Sequence, residues 1–275
     1  MGTAGKAPAV LRALHRIKSY PPDLSHPIFA HYPAMKLGDR PAAEHFGALL
    51  APLAGAIVAN AKAPCVLTAP PMRLLPSGAN LVCAALARRM KGLAHTTLRL
   101  KQPARPYDST AEFDACGDYA RLDYRSRREG QDEAVMLDIP VIAGHEVIVV
   151  NDINVTGTQM RRIASALERG HPARVHWLLI INVDRCVGRR FAHLESEINH
   201  SRIASQSEMI ALLRSRDLSY TSKFVARLMS FGTASLAHIF AALDASKRQA
   251  IAAAIAAEGL YSGDAFREKV ALAGG

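Results

Sequence analysis

Phe46, Leu49, Leu50, Leu53, Ile57 and Val58 recur at three- and four-residue steps, which predicts a helix from Pro41 to Ala61 with a proline, Pro52, inside it. Residues 65–70 (Cys-Val-Leu-Thr-Ala-Pro) form a short apolar run that stops at a proline pair and reads as a buried strand entering a loop. Gly78 to Met90 carries Leu81, Ala84, Ala85 and Leu86 on one side and reads as a helix, and Thr96 to Leu100 as a further strand. The clearest strand is Val147 to Val150. A helix from Thr156 to Glu168, closed by Gly170, and a buried strand from Val175 to Val183 follow it. Strand, turn, helix and strand within 37 residues make a βαβ unit, which requires a parallel sheet covered on both faces.

Beyond Ile198 the pattern predicts helices only: 208–216, 220–230 stopped by Gly232, 235–243, and 247–258 stopped by Gly259. Residues 1–40 are rich in Pro, His and Tyr and read as an irregular lead-in. Lys101 to Asp132 is long, polar and crowded with Arg, Tyr and Asp, as a functional lid or a disordered connection would be. The expected division is therefore 1–62, an N-terminal segment with the first helix; 63–197, an α/β core; and 198–275, a helical appendage. The apolar helices of that appendage fit either packing onto the core or pairing of two copies as a homodimer.

Composition narrows the class. At 275 residues, 49% hydrophobic and 21% charged, the chain is neither disordered nor a coiled coil. Its net charge of +10 favours polyanionic partners such as phosphates, nucleotides or RNA, although no RNA-binding motif is evident. Cys65, Cys83, Cys116 and Cys186 are 18, 33 and 70 residues apart, which suggests neither a zinc ribbon nor a disulfide framework and suits a reducing cytoplasm. The longest uncharged stretch, Phe46 to Ala61, has 16 residues, short of a membrane span, so no membrane association is expected. Arg12, Arg16 and Lys18 precede the first acid, Asp23, a composition that a transit peptide shares.

The chemistry gathers in Val147-Ile-Val-Val-Asn151-Asp152-Ile-Asn-Val-Thr156-Gly157-Thr158-Gln159. A hydrophobic strand delivers a polar pair, and a Thr-Gly-Thr turn then opens a helix. Ligands of open α/β sheets bind beyond the carboxyl ends of the strands, and a helix N-terminus offers amides and a positive dipole end to a phosphate. Gly157 lets the backbone approach closely. An ordinary turn in which Asp152 and Thr156 only cap the helix uses the same residue types.

The whole window resembles the phosphoribosyl pyrophosphate (PRPP) signature of type I phosphoribosyltransferases: four aliphatics, two acids, variable positions, Thr-Gly, and a small hydroxyl residue. The resemblance implies a phosphoribosyltransferase-like parallel sheet flanked by helices, with a hood formed by the N-terminal segment. It also implies that Asn151 and Asp152 meet the ribose hydroxyls and that Thr156, Gly157, Thr158 and Gln159 wrap the 5′-phosphate. Pro71, Met72 and Arg73, after the first core strand, correspond to its pyrophosphate loop. Arg121 and Arg125, within Gly117 to Arg128, correspond to a loop that closes over the leaving group. Mg²⁺ would enter with PRPP, with Asp152 the protein group nearest to it. The acceptor base would be read by hood residues between 20 and 45.

Three positions depart from the family pattern. Asn151 replaces the first acid and brings no charge, Gln159 stands where many members have Thr or Ser, and Val155 stands where some carry a carboxylate base. Tyr32-Pro-x-x-Lys36-x-Gly38-Asp39 and Gly117-Asp-Tyr, with the Asp-Ile-x-x-Thr-Gly-Thr core, are further similar to the phosphoribosyltransferase-related proteins of bacterial tellurium-resistance and stress-response gene clusters. The implied activity is transfer of phosphoribosyl to or from a nucleobase or base-like acceptor, with pyrophosphate as leaving group. The alternative is a non-catalytic regulatory protein that binds PRPP or a nucleotide.

Overall fold

The computed structural model describes residues 10–100, 106–116, 135–201, 203–215 and 217–274. Strands β1 (Val10–Ile17), β2 (Cys65–Thr68), β3 (Ala94–His95), β6 (Glu146–Asn154) and β7 (Arg174–Val183) form one parallel sheet in the order β1-β7-β6-β2-β3. Helices α1 (Ile28–Lys36), α2 (Arg40–Val58) and α3 (Gly78–Arg89) lie on one side, and α5 (Ile139–Ile142) and α6 (Thr158–Glu168) on the other. The architecture is α/β, a five-stranded parallel sheet flanked by helices. A two-stranded antiparallel ribbon, β4 (Arg99–Leu100) with β5 (Val135–Met136), stands apart from it.

The period of two along β6 explains the layering. Ile148 and Val150 point into the cluster that holds Phe29, Phe46 and Leu50, whereas Val147 and Val149 join Trp177, Ile163 and Leu167 on the other face. A strand buried on both sides must read as a continuous apolar run, and this one does. Helix α2 is long and apolar enough to meet the criteria for a membrane span, the one such helix among the described residues; its Phe46, Leu50, Ala54 and Ile57 are spent on the core. Pro52 does not interrupt it.

Among its described residues the lead-in is not irregular throughout. Val10 to Ile17 is an edge strand in register with β7, Leu11 opposite Trp177 and Ile17 opposite Val183. Arg12, His15 and Arg16 mask its alternation, and charge on an edge strand guards against unwanted pairing. Strand β1 and helices α1 and α2 share one hydrophobic cluster with the rest of the sheet, so the boundary drawn at residue 62 falls inside a continuous core. Residues 96–100 hold no single strand: β3 ends at His95, and Arg99 and Leu100 pair with Met136 and Val135 instead.

The C-terminal helices are α7 (Arg185–Arg190), α8 (Leu194–His200), α9 (Gln206–Ser215), α10 (Ser222–Met229), α11 (Thr233–Ala241), α12 (Ala245–Glu258) and, after a short 3-10 turn, α13 (Arg267–Gly274). Gly259 closes α12 in the left-handed region at φ 71°, as expected. Gly232 does not close α10; at φ −62° it is the N-cap of α11. Helices α9 to α13 build their own cluster around Phe224, Leu228, Leu236 and Phe266. Helix α4 (Thr110–Cys116), within the stretch expected to be a lid, buries Phe113 in that cluster.

This helical unit packs onto the core at the turn between α1 and α2. The Ser219 amide donates to the Gly38 carbonyl at 2.9 Å, the Arg40 amide to the Asp217 carbonyl at 3.0 Å, and the Thr221 hydroxyl to the Lys36 carbonyl at 2.8 Å.

Candidate functional site

Strand β6 carries Asn151 and Asp152 to the carboxyl edge of the sheet, and Val155 to Gly157 turn the chain into α6. Gly157 is the N-cap of α6 at φ 76°, a left-handed conformation that glycine adopts without strain, and it has no side chain to cap the first turn. By contrast, Asp39 caps α2, Ser77 caps α3, Thr221 caps α10 and Asp244 caps α12. The N-cap of α6 therefore offers no side-chain acceptor of its own, and in the first turn the Thr158 amide donates to the Thr156 hydroxyl at 3.3 Å.

Arg161 strengthens that end. Its guanidinium donates to the Thr158 hydroxyl at 3.1 Å and to the Thr156 carbonyl at 3.5 Å. A cation near a helix N-terminus opposes the dipole, and an anion bound between them removes the conflict. The two threonine hydroxyls bond each other at 3.0 Å and so hold the turn in shape.

A cleft of about 140 Å³ lies against this turn, lined by Lys36, Pro70, Pro71, Ser77, residues 151–160 and Glu195. That is below the roughly 300–1,000 Å³ of pockets for drug-sized ligands. The Asn80 side-chain Nδ2 donates to the Pro70 carbonyl at 3.1 Å and fixes the proline wall.

The polar pair is already engaged. Asn151 donates to the Gln159 side-chain oxygen at 3.1 Å, and its own side-chain oxygen accepts from the Asp152 amide at 2.9 Å. Asp152 Oδ1 accepts from the Ile153 amide at 2.7 Å, and Asp152 Oδ2 accepts from Lys36 Nζ at 2.6 Å. Glu195, at the start of α8, lies 3.6 Å from the same ammonium. Tyr32, one turn before Lys36, sets its ring 5.9 Å beneath the ammonium. Burial, then the Asp152 and Glu195 charges, push the Tyr32 hydroxyl well above the ordinary tyrosine range, so it stays neutral.

These contacts test the expected Mg²⁺ site. A Mg²⁺ ion bound by Asp152 needs a ligand at about 2.0–2.1 Å, beside an ammonium already in contact with that carboxylate. Among the described residues no group of three His, Cys, Asp or Glu is arranged to hold a metal. The donor set does not fit a Mg²⁺ ion held by Asp152.

No family model matches the chain, and no curated protein matches it. Solved structures similar to part of it include the following two. One is described as the allosteric regulatory enzyme of purine biosynthesis; it is 18% identical over 54% of this chain and 25% of that one, with a TM-score of 0.30. The other, a protein from Thermus thermophilus, is 23% identical over 57% of this chain and 80% of that one, with a TM-score of 0.31. The chain thus spans about a quarter of the first protein and four-fifths of the second.

Of the residues singled out from the sequence, Asn151, Asp152, Thr156, Gly157, Thr158, Gln159 and Pro71 come together around the cleft. Met72 and Arg73 do not line it. Met72 is bound through its backbone to Leu98 and Leu100, and the Arg73 charge is felt by Glu258 of α12. Arg121 and Arg125 lie outside the described residues. Lys36 is the residue of the 20–45 range that lines the cleft.

Arg161 and Glu195 carry roles that sequence reasoning missed, and Lys36, a member of the Tyr32-to-Asp39 motif, carries one that the motif did not state. A base in the first turn of a helix without an N-cap side chain is a signal for Arg161. Nothing in the local pattern of α1 or α8 ties Lys36 to Asp152, 116 residues away, or to Glu195, 159 residues away.

Proposed function

We propose that this protein binds PRPP in the cleft, with the 5′-phosphate at the Gly157 turn, the ribose beside Asn151 and Asp152, and the pyrophosphate toward Pro71. The proposed reaction is that of a phosphoribosyltransferase. A nitrogen of a base or base-like acceptor forms a bond to C1 as the bond from C1 to pyrophosphate breaks, and the acceptor nitrogen gives up its proton. The observation that carries this reading is one cleft lined by the start of α6, the Gly157 turn and the strand-end Asp152 carboxylate, with the Arg161 guanidinium bonded to the Thr158 hydroxyl of the same turn. Positioning and electrostatic stabilisation of the departing pyrophosphate are the contributions such a site can make. Val155 is buried and apolar, so proton removal falls to solvent or to the departing pyrophosphate.

The test is pyrophosphate release from PRPP with a panel of nucleobases. Wild-type protein is expected to release it with at least one base, and Asp152→Asn to lose about 100-fold or more of that rate. Absence of release with every base, together with no PRPP binding by calorimetry, overturns the reading.

A second reading has its own support. Asn151 is neutral, and both oxygens of Asp152 already accept hydrogen bonds, as they would in a pocket that holds a phosphoribosyl group without turning it over. Tight PRPP or nucleotide binding with no release of pyrophosphate selects this regulatory function.

A further inference from the structure

We propose that Lys36 is a positioning residue that acts as a built-in cation, so that a phosphoribosyl ligand binds in this cleft without a divalent metal ion. The proposal rests on the phosphoribosyl reading above and deepens it.

Lys36 ends helix α1, and its side chain, 11% exposed, reaches into the cleft to meet Asp152 Oδ2 at 2.6 Å. A buried ammonium is tolerated only where opposite charge and hydrogen bonds compensate its lost hydration. Two carboxylates from separate elements do so here, Asp152 from β6 in direct contact and Glu195 from α8 at 3.6 Å. The root of the side chain is fixed as well. The Lys36 carbonyl accepts from the fully buried Thr221 hydroxyl, which also caps α10 by accepting from the Phe224 amide at 3.0 Å. The ammonium is thus held in place from both ends of the residue.

Charge balance supplies the second half of the argument. Two acids at the ribose edge reach neutrality with a divalent ion. Here one acid has become Asn151, and the Lys36 ammonium, in contact with Asp152 and 3.6 Å from Glu195, puts a protein cation beside the remaining acid where a divalent ion would otherwise sit. A cation already touching Asp152 also repels any divalent ion that approaches it. Lys36 therefore sets the position of the Asp152 carboxylate while leaving its outer face to the ligand.

The test uses full-length protein and PRPP, titrated by calorimetry in excess Mg²⁺ and in EDTA. Wild-type protein is expected to bind with dissociation constants that differ by no more than about threefold between the two buffers. Lys36→Met is expected to bind about thirtyfold more weakly in EDTA and to recover most of that loss in Mg²⁺, because the freed carboxylate then accepts the ion. Lys36→Arg keeps the charge and is expected to keep metal independence. Circular dichroism monitors folding, and the double variant Lys36→Met with Asp152→Asn removes the Asp152 charge together with its ammonium; it is expected to lose affinity with no recovery in Mg²⁺. Binding by the wild type only in Mg²⁺ overturns the proposal and leaves the phosphoribosyl reading standing. A loss in Lys36→Met that Mg²⁺ does not relieve, in a folded protein, overturns it too. No binding of PRPP in either buffer ends both.

Discussion

A single backbone conformation at residue 157 shapes the anion end of the cleft. At φ 76° an L side chain is strained, and a Cβ there would sit 3.0 Å from the Arg161 guanidinium. Gly157→Ala is therefore expected to lower stability by about 1–2 kcal/mol and to weaken PRPP binding, since either the turn or Arg161 must move. Urea denaturation and calorimetry read the two effects separately; unchanged affinity would show that neither this turn nor Arg161 meets the ligand. The turn was legible in the sequence, because Thr-Gly-Thr stands at the end of a longer window of apolar strand and polar pair. What each side chain does was less so. Gln159 serves Asn151, and the Thr156 hydroxyl serves Thr158.

At the scale of elements, β6 joins two sites of different character. Its far end begins with Glu146, which is buried and accepts from the Lys62 amide at 2.8 Å and from His176 at 2.7 Å. Burial opposes ionisation of Glu146, but the Lys62 amide, the His176 hydrogen bond and charge, and the Arg174 charge outweigh it and hold the carboxyl below its ordinary 4.5. A depressed carboxyl contributes stability that is present above its unfolded value and lost as pH falls through the folded one. Stability is accordingly expected to decline as pH drops below about 4.5, and Glu146→Gln to lessen that decline while costing about 1–3 kcal/mol at neutral pH. Chemical denaturation between acid and neutral pH checks both; an equally steep acid decline in the variant would remove Glu146 from the account. The near end of β6 depends on another element. Helix α7 passes so close that a Cβ on Gly188 would lie 1.9 Å from the Val155 carbonyl oxygen. The strands and helices around β6 were predictable from apolar periodicity, but this approach of α7 was not, since periodicity says nothing about which turn a helix will touch.

For the whole molecule, the junction between the sheet and the C-terminal helices decides how firmly the cleft is built. Ala34 packs against both hydrophobic clusters, and Thr221 bonds across the junction. Thr221→Val removes a helix cap and leaves the buried Lys36 carbonyl without its donor, at an expected cost of about 2–4 kcal/mol. One cooperative unfolding transition at lower denaturant concentration is the expected result, with weaker PRPP binding because Lys36 loses its anchor. Two separate transitions in the wild type would show that the helical unit folds independently of the sheet.

The βαβ unit, the parallel sheet, the all-helical C-terminal region and the turn at Thr156 to Thr158 were readable along the chain, because each rests on local patterns of apolar spacing and turn chemistry. Only the tertiary structure decided that Val10 to Ile17 joins the sheet and that Met72 and Arg73 stay out of the cleft. It alone decided that a lysine 116 residues before Asp152 takes that carboxylate. Pairing between distant segments depends on the shape and charge of the partner's surface, and neither is written in the segment that meets it.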